Sequence, residues 1–313
     1  MTLEIKNLSI SYGDFEVLKD VSFHLEKGQI VGLVAPNGTG KTTLFNAIMR
    51  FIPIEQGEIL VDDKVYSPSD KDVLALHKLI TFFPDQADLF GNFSGREHIK
   101  MYAEMWSGKT SDVDAVIERL RMSHYVDRKV EEYSLGMRQR LCFAMMVIAN
   151  TPIMLMDEVM NGLDPENVSL VSEVLIELRQ AGKIIIIASH LLDNLDEYAD
   201  KVFFLKDKEL HSVNDLNQKH PLYYLAVCSV EEASILRSEG YLSENFYHLN
   251  DQLLCVPLDN FSPDEEIAFY KRLRSMDLRS IEISPLGTAE HYAILYDLQI
   301  YSYDRGETSE AKN

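Results

Sequence analysis

The stretch Ala35-Pro36-Asn37-Gly38-Thr39-Gly40-Lys41-Thr42-Thr43 decides the fold of this 313-residue chain. It follows the continuous apolar run 29–35, which is typical of a buried parallel strand, and a helix is predicted to follow from Lys41 to about Arg50. A glycine-rich turn that ends in Gly-Lys-Thr between a strand and a helix is the pattern of a phosphate-binding loop. The sequence therefore predicts an α/β fold that binds a phosphorylated ligand beside this strand.

Each residue type in the loop suits that chemistry. Backbone N–H groups at a helix N-terminus can surround a phosphate, a lysine can bridge the β- and γ-phosphates, and a threonine hydroxyl can ligate Mg²⁺. We expect Lys41 in the bridging role and Thr42 at the metal. The candidate nucleotide-binding residues of the loop are Asn37, Gly38, Thr39, Gly40, Lys41, Thr42 and Thr43.

A second candidate cluster ends the apolar stretch Ile153-Met154-Leu155-Met156-Asp157-Glu158. Asp157 is suited to hold Mg²⁺, and Glu158 to polarise an attacking water as the catalytic base. A strand capped by two acidic residues is the alternative reading of this stretch alone. Because the stretch follows the phosphate loop in the same α/β region, we favour the catalytic reading.

The segment Tyr133-Ser134-Leu135-Gly136-Met137-Arg138-Gln139-Arg140 precedes a predicted helix. It resembles the signature motif of ATP-binding cassette (ABC) proteins, whose common form is Leu-Ser-Gly-Gly-Gln followed by a basic residue, Gln and Arg. The resemblance implies a P-loop NTPase fold with ATP and Mg²⁺ as cofactors. It also implies that Ser134 and Gly136 meet the γ-phosphate of ATP.

Other positions match the family in chain order. Tyr12 lies where the family places its adenine-stacking aromatic residue, although a lone tyrosine there is more often a turn residue. Asn161-Gly162-Leu163-Asp164 matches the loop that links the two nucleotide sites of a dimer. His190, after the strand 184–188, matches the histidine that contacts the γ-phosphate and is a second catalytic candidate. The resemblance covers about residues 1–210.

Three positions depart from the family pattern. Ala35 replaces the first glycine of the phosphate loop, which would cost about 1 kcal/mol if that position requires a positive φ. Val159 replaces the proline that usually follows the catalytic glutamate. The family's loop glutamine, a Mg²⁺ contact, falls on Asp85 by alignment and on Gln86 by chemistry, and both remain candidate metal ligands.

The chain divides near residue 215. Residues 1–215 are predicted to form the ABC nucleotide-binding domain, with a wholly helical subdomain at about 91–130. Residues 216–313 show the order βαββαβ, which suggests a small α+β accessory domain of ferredoxin-like type, with a disordered end at 305–313. The three cysteines lack metal-ligand spacing and are expected to be reduced thiols in a cytosolic core.

Composition and length restrict the kinds of partner that this protein can have. The net charge of −20 argues against nucleic acid, and no apolar run approaches the length that spans a bilayer. The chain carries one phosphate loop and one signature, so the resemblance implies pairing with a second nucleotide-binding subunit, in a homo- or heterodimer. It also implies a separate transmembrane permease, so we expect a cytoplasmic protein at the inner face of the cell membrane. Phe90, Phe93 and Trp106 could dock on that permease or belong to a helical core.

The form of the signature looks most like bacterial exporters of drugs, lantibiotics or peptides, although an importer would use the same ATPase chemistry. A soluble cassette acting in DNA repair or translation is disfavoured by the acidic charge and the single cassette. A non-hydrolysing regulatory cassette is supported to some extent by Ala35 and Asp85. The expectation is therefore an ATP-hydrolysing transporter subunit, with hydrolysis as the property to test.

Overall fold

The computed structural model describes residues 1–107, 110–189, 192, 194–215, 221–242, 245–276 and 278–296. It divides the chain into two compact units, Met1–Asp215 and Leu216–Asn313. The predictions for His190 and for the end 305–313 lie outside the described residues. In the part of the chain that is described, no helix is both long and apolar enough to cross a membrane.

The described residues of the first unit form two sheets. Its strands are β1 Thr2–Tyr12, β2 Phe15–Glu26, β3 Gln29–Val34, β4 Gln56–Val61, β5 Lys64–Val65, β6 Ile80–Phe82, β7 Ile153–Asp157, β8 Ile184–Ala188, β9 Lys201–Lys206 and β10 Glu209–Asp215. An antiparallel sheet has the order β2-β1-β4-β5, and a six-stranded sheet has the order β10-β9-β3-β8-β7-β6. All pairs of the larger sheet are parallel except β9 with β10.

Helices of the first unit pack on the larger sheet or on one another. They are α1 Lys41–Ile48, α2 Asp70–His77, α3 Gly95–Tyr102, α4 Val113–Arg119, α5 Leu135–Ala149, α6 Pro165–Gln180 and α7 Leu195–Tyr198. Strands β3 and β8 are buried almost throughout, because helices cover both faces of a parallel sheet. Their register pairs Val31 with Ile186, and β8 separates β3 from β7. The carboxyl ends of β3 and β7 therefore lie at one edge, where α/β sheets bind ligands.

The segment 91–130 is not wholly helical. Helix α3 begins with a capping box at Ser94, a π-helix occupies Ala103–Ser107, and α4 ends at Arg119. Turns follow, and a β-bridge joins Ser94 to Lys129. The α-helix Gly95–Tyr102 thus continues directly into a π-helix, a feature that often occurs at functional sites.

In the part of the second unit that the structure describes, a four-stranded antiparallel sheet packs with helices. Its elements are β11 Tyr223–Val227, α8 Val230–Ser238, β12 Tyr247–Leu249, β13 Leu253–Pro257, α9 Pro263–Ser275, β14 Ile281–Ser284 and α10 Thr288–Leu295. The strand order is β12-β13-β11-β14, so β13 lies between β11 and β12, the two strands that α8 connects. The core packs Tyr224, Leu254, Phe269 and Leu273 together, with aromatic contacts between Tyr224 and Phe269.

Candidate functional site

The loop between β3 and α1 has the shape of a phosphate cradle. Gly38 has φ 81°, and a Cβ built there would meet nothing within 4 Å, so the loop faces open space at that point. Gly40 has φ 114° and supplies the turn into α1, whose first intrahelical bond runs from the Leu44 N–H to the Gly40 carbonyl at 2.8 Å. The Thr39 hydroxyl donates to the Pro36 carbonyl at 2.8 Å and closes the loop.

Lys41 lies beneath this loop with only 7% of its surface exposed. Its Nζ donates to the carbonyl oxygens of Ala35 at 2.6 Å and Pro36 at 3.2 Å. Burial lowers the pKa of Lys41, and the carboxylates of Glu158 and Asp157 oppose that shift. The Lys41 ammonium is therefore held by backbone oxygens and lies close to two carboxylates. Because a buried ammonium is stabilised by opposite charge, an anionic ligand would be a further partner for it.

Ala35 does not require the conformation that glycine provides. It is buried, at 4% exposure, and is not among the described residues with a positive φ. The cost foreseen for a Cβ at this position therefore does not arise.

Thr42 and Asp157 meet across the edge of the sheet. The Thr42 hydroxyl donates to Asp157 Oδ2 at 2.9 Å, although 115 residues separate the two in the chain. Thr42 lies in the first turn of α1, and Asp157 ends β7. A hydroxyl beside a carboxylate is the oxygen-rich pair that Mg²⁺ uses together with phosphate oxygens.

A pocket of about 420 Å³ joins the loop to the carboxylates and to two aromatic side chains. Its lining residues are Tyr12, Phe15, Val17, Asn37, Gly38, Gly40, Lys41, Thr42, Thr43, Asp157 and Glu158. Tyr12 is 54% exposed and Phe15 is 67% exposed, which suits faces that stack on a planar ring. Sequence reasoning missed Phe15; its pairing with Tyr12 across the Gly13-Asp14 turn is the signal that could have found it.

Glu158 follows β7 in a strained backbone conformation. Its φ is 54°, in the left-handed region that non-glycine residues enter at a cost of about 1–3 kcal/mol. Its N–H donates to the Ala188 carbonyl at 2.9 Å, and its own carbonyl accepts from the Asn161 N–H at 3.0 Å. Strain of this kind persists when surrounding bonds over-determine it, and it is frequent in active sites.

The two candidates after Pro84 play different parts. Asp85 Oδ1 accepts the Ala87 N–H at 2.8 Å and so caps the short 3₁₀ turn Gln86–Asp88. Gln86 instead donates from Nε2 to Oε1 of Gln139. Both line a cleft of about 860 Å³ that also contains Thr42, Asp157 and Glu158.

Ser134 and Gly136 lie apart from Lys41. Ser134 caps α5 by accepting the Met137 N–H at 3.3 Å. Gly136 approaches the Gly162 carbonyl so closely that an added Cβ would be 3.1 Å from it. Neither residue lines the pocket around Lys41.

The fold and this pocket define a P-loop nucleotide-binding protein, and the comparisons with known proteins agree. A family model for ABC transporters matches residues 18–161. An uncharacterized ABC transporter ATP-binding protein of Methanocaldococcus jannaschii is 31% identical over 223 residues, which are 69% of this chain and 80% of that protein. The lantibiotic transport ATP-binding protein SrtF of Streptococcus pyogenes is 28% identical over 66% of this chain and 88% of its own length. The bacitracin transport ATP-binding protein BcrA of Enterococcus faecalis is 27% identical over 80% of each.

Comparison with solved structures also finds ATP-binding cassettes. The cbiO1 protein of Clostridium perfringens, part of an ABC transporter complex, has a TM-score of 0.60 at 26% identity and covers 67% of this chain and 86% of its own. A dimeric ATP-binding cassette bound to ADP and phosphate has a TM-score of 0.61 at 20% identity, over 68% of this chain and 98% of its own, and shares the fold.

The chain belongs to the ABC transporter ATP-binding proteins. It is an ATP-binding subunit of this class of transporter. The predicted P-loop NTPase fold and the resemblance to ABC proteins are both confirmed.

Proposed function

We propose that this chain hydrolyses Mg·ATP at a site shared with a second nucleotide-binding subunit, and that hydrolysis drives export through a separate membrane permease. The observation that carries the proposal is the 2.9 Å contact between Thr42 and Asp157, in a pocket that also contains Lys41 and Glu158. This arrangement provides a phosphate cradle, a metal-binding oxygen pair and a carboxylate base within one pocket.

In the proposed site, Asn37 to Thr43 surround the phosphates, and Tyr12 stacks on the adenine. Thr42 and Asp157 hold Mg²⁺, which would neutralise phosphate charge when bound. Glu158 accepts a proton from the attacking water. Of the two candidates after Pro84, we assign the metal-side role to Gln86, because the Asp85 carboxylate is engaged in capping its own turn. His190 keeps its proposed role at the γ-phosphate.

In the proposed dimer, the second subunit supplies the signature residues that complete the ATP site. Ser134 and Gly136 do not line the pocket around Lys41, so in the proposed dimer each chain presents them to the ATP held by its partner. The Ser134 hydroxyl and the amino end of α5 would then face the γ-phosphate. The dimeric cassette bound to ADP and phosphate, which shares this fold, is consistent with such pairing.

Export is proposed from the relatives and from the surface. SrtF and BcrA are named for lantibiotic and bacitracin transport, which supports a peptide antibiotic as the transported class. Phe90 is 53% exposed and Phe93 is 45% exposed, and Trp106 lines the cleft beyond Gln86. We place the contact with a permease at these aromatics, which locates the protein at the inner face of the membrane.

The second unit is proposed to be a ferredoxin-like accessory domain. Its βαββαβ order and antiparallel arrangement support that classification.

Phosphate release by the purified full-length chain tests the proposal. Glu158→Gln should lower hydrolysis by about 10²–10⁴-fold, because it removes the base while leaving ATP binding intact. Glu118→Gln, the same exchange at an exposed position on α4, is the matched control and should hydrolyse ATP normally.

Two results would contradict the proposal. One is nucleotide binding without hydrolysis, both by the chain alone and with its permease, which would favour a regulatory cassette. The other is unchanged ATP affinity in Lys41→Ala, since that substitution removes the main cation of the phosphate site.

A further inference from the structure

Gln139 is a polar side chain enclosed in an apolar helix. It is 3% exposed, and the residues that follow it on α5, from Leu141 to Met146, are all buried. A primary amide offers two N–H donors and one carbonyl acceptor, and burial without partners would destabilise the fold. The partners of Gln139 therefore explain its presence.

All parts of this amide are engaged, and each bond leads to a segment of the active site. Gln139 Nε2 donates to the Glu158 carbonyl at 2.8 Å and to the Val159 carbonyl at 2.9 Å. Gln139 Oε1 accepts from Nε2 of Gln86. One side chain thus joins α5, the residues after β7 and the turn after β6.

These bonds fix the orientation of Gln86. Two carbonyl acceptors require the Gln139 NH₂ group on their side, so its oxygen must face Gln86, and Gln86 must then present its own NH₂ group. The Gln86 Oε1 atom is left buried without a hydrogen-bond partner among the described residues. Gln86 lines the cleft with Thr42, Asp157 and Glu158, so a water or a metal-bound ligand in the cleft is a candidate partner for this acceptor.

The same bonds hold the strained residue in place. Glu158 keeps φ 54° with its N–H bonded to Ala188 and its carbonyl shared between the Asn161 N–H and Gln139. Gln139 is the one side chain in that set of contacts, because the other two partners are backbone groups.

We infer that Gln139 is a positioning residue for ATP hydrolysis: it holds the backbone of Glu158 and couples it to Gln86, so that the turn after β6 and the catalytic carboxylate keep one joint arrangement. The inference rests on the proposed function, in which Glu158 is the base. It assigns to the signature helix a role within its own subunit, in addition to the contact that Ser134 makes across a dimer.

The test replaces Gln139 by methionine, which preserves length and volume but removes the amide. Gln139→Met in the purified full-length chain should lower kcat for ATP hydrolysis by about 10–100-fold and leave the Kd for ATP unchanged, because the base is misplaced and the phosphate loop is intact. Gln180→Met, the same exchange at an exposed position on α6, should leave kcat unchanged.

A double-mutant cycle separates positioning from simple stability. If the two glutamines act as one unit, the loss of kcat in Gln86→Ala combined with Gln139→Met should be smaller than the product of the two single losses. A purely structural role would instead give a double variant whose loss of kcat is the product of the two single losses. It could also show as a lower thermal stability of Gln139→Met with an unchanged kcat per folded molecule. Either result overturns the inference. If wild type hydrolyses ATP and Glu158→Gln does not, a normal kcat for Gln139→Met overturns this inference alone. If the Glu158→Gln variant still hydrolyses ATP, the proposed function, on which this inference rests, is overturned.

Discussion

Two positions at the ends of the phosphate loop have opposite requirements for a side chain. Ala35 is buried without a positive φ, and its carbonyl oxygen receives the Lys41 ammonium. Gly40 has φ 114°, and a Cβ there would lie 2.9 Å from Cγ1 of Val17. The departure from the family pattern at Ala35 is therefore harmless, whereas Gly40 is required by both backbone and space.

Exchanging the two residue types tests this contrast. Ala35→Gly should leave hydrolysis unchanged and lower the free energy of unfolding by about 0.4–1 kcal/mol, because glycine adds freedom to the unfolded chain. Gly40→Ala should destabilise the protein by at least roughly 1–2 kcal/mol from the backbone term alone and weaken ATP binding. Denaturant unfolding and nucleotide titration measure both quantities. A gain in hydrolysis by Ala35→Gly would show that the alanine impairs the loop.

At the scale of elements, Ser134 has both a structural and a proposed chemical role. It caps α5, and Ser69 caps α2 in the same way by accepting the Asp72 N–H at 3.3 Å. Ser134→Ala and Ser69→Ala should each cost about 1 kcal/mol of stability, since each leaves one N–H of a first turn without its acceptor. Only Ser134→Ala should also reduce ATP hydrolysis. Equal hydrolysis by the two variants would restrict Ser134 to capping.

The sequence predicted elements best where apolar pattern and turn chemistry agreed. The apolar stretch that begins at Ile153 forms a strand that ends at Asp157, and the helix predicted at the signature segment begins directly after Ser134. Strand β4 was not predicted, because only its last three residues, Ile59 to Val61, form an apolar run, and the strand is completed by pairing with the distant strand β1. Such long-range pairing is not visible in a single segment.

The candidate site was predictable as a set of residues, but its contacts were not. Motif order predicted Lys41 and Asp157, which the fold brings into one pocket. The choice between Asp85 and Gln86 depended on the hydrogen bond from the Ala87 N–H to the Asp85 carboxylate. The support of Gln86 comes from Gln139, a residue 53 positions away that no local pattern connects to it. Chain order finds the parts of an active site, and only packing shows how they support one another.

At the scale of the whole molecule, the chain has two compact units with separate cores. Its free cysteines report on both, because Cys142 lies in α5 of the first unit, and Cys228 and Cys255 lie in the second. Burial raises the pKa of Cys142 and of Cys228 to about 12 and raises that of Cys255 as well. The thiolate is the nucleophile that attacks an alkylating reagent, so these thiols should react only after the unit that buries them has unfolded.

Pulsed alkylation along a denaturant titration, read by mass spectrometry, should therefore give two transitions. Cys228 and Cys255 should label together at one midpoint, and Cys142 at another. In Glu158→Gln, which retains ATP, Mg·ATP at 100 times its Kd should stabilise the first unit by about 2.7 kcal/mol and move only the Cys142 midpoint. Adding Lys41→Ala should abolish that shift. If all three cysteines labelled at one midpoint and moved together with nucleotide, the two units would unfold as one, and binding energy at the phosphate loop would extend to the second unit.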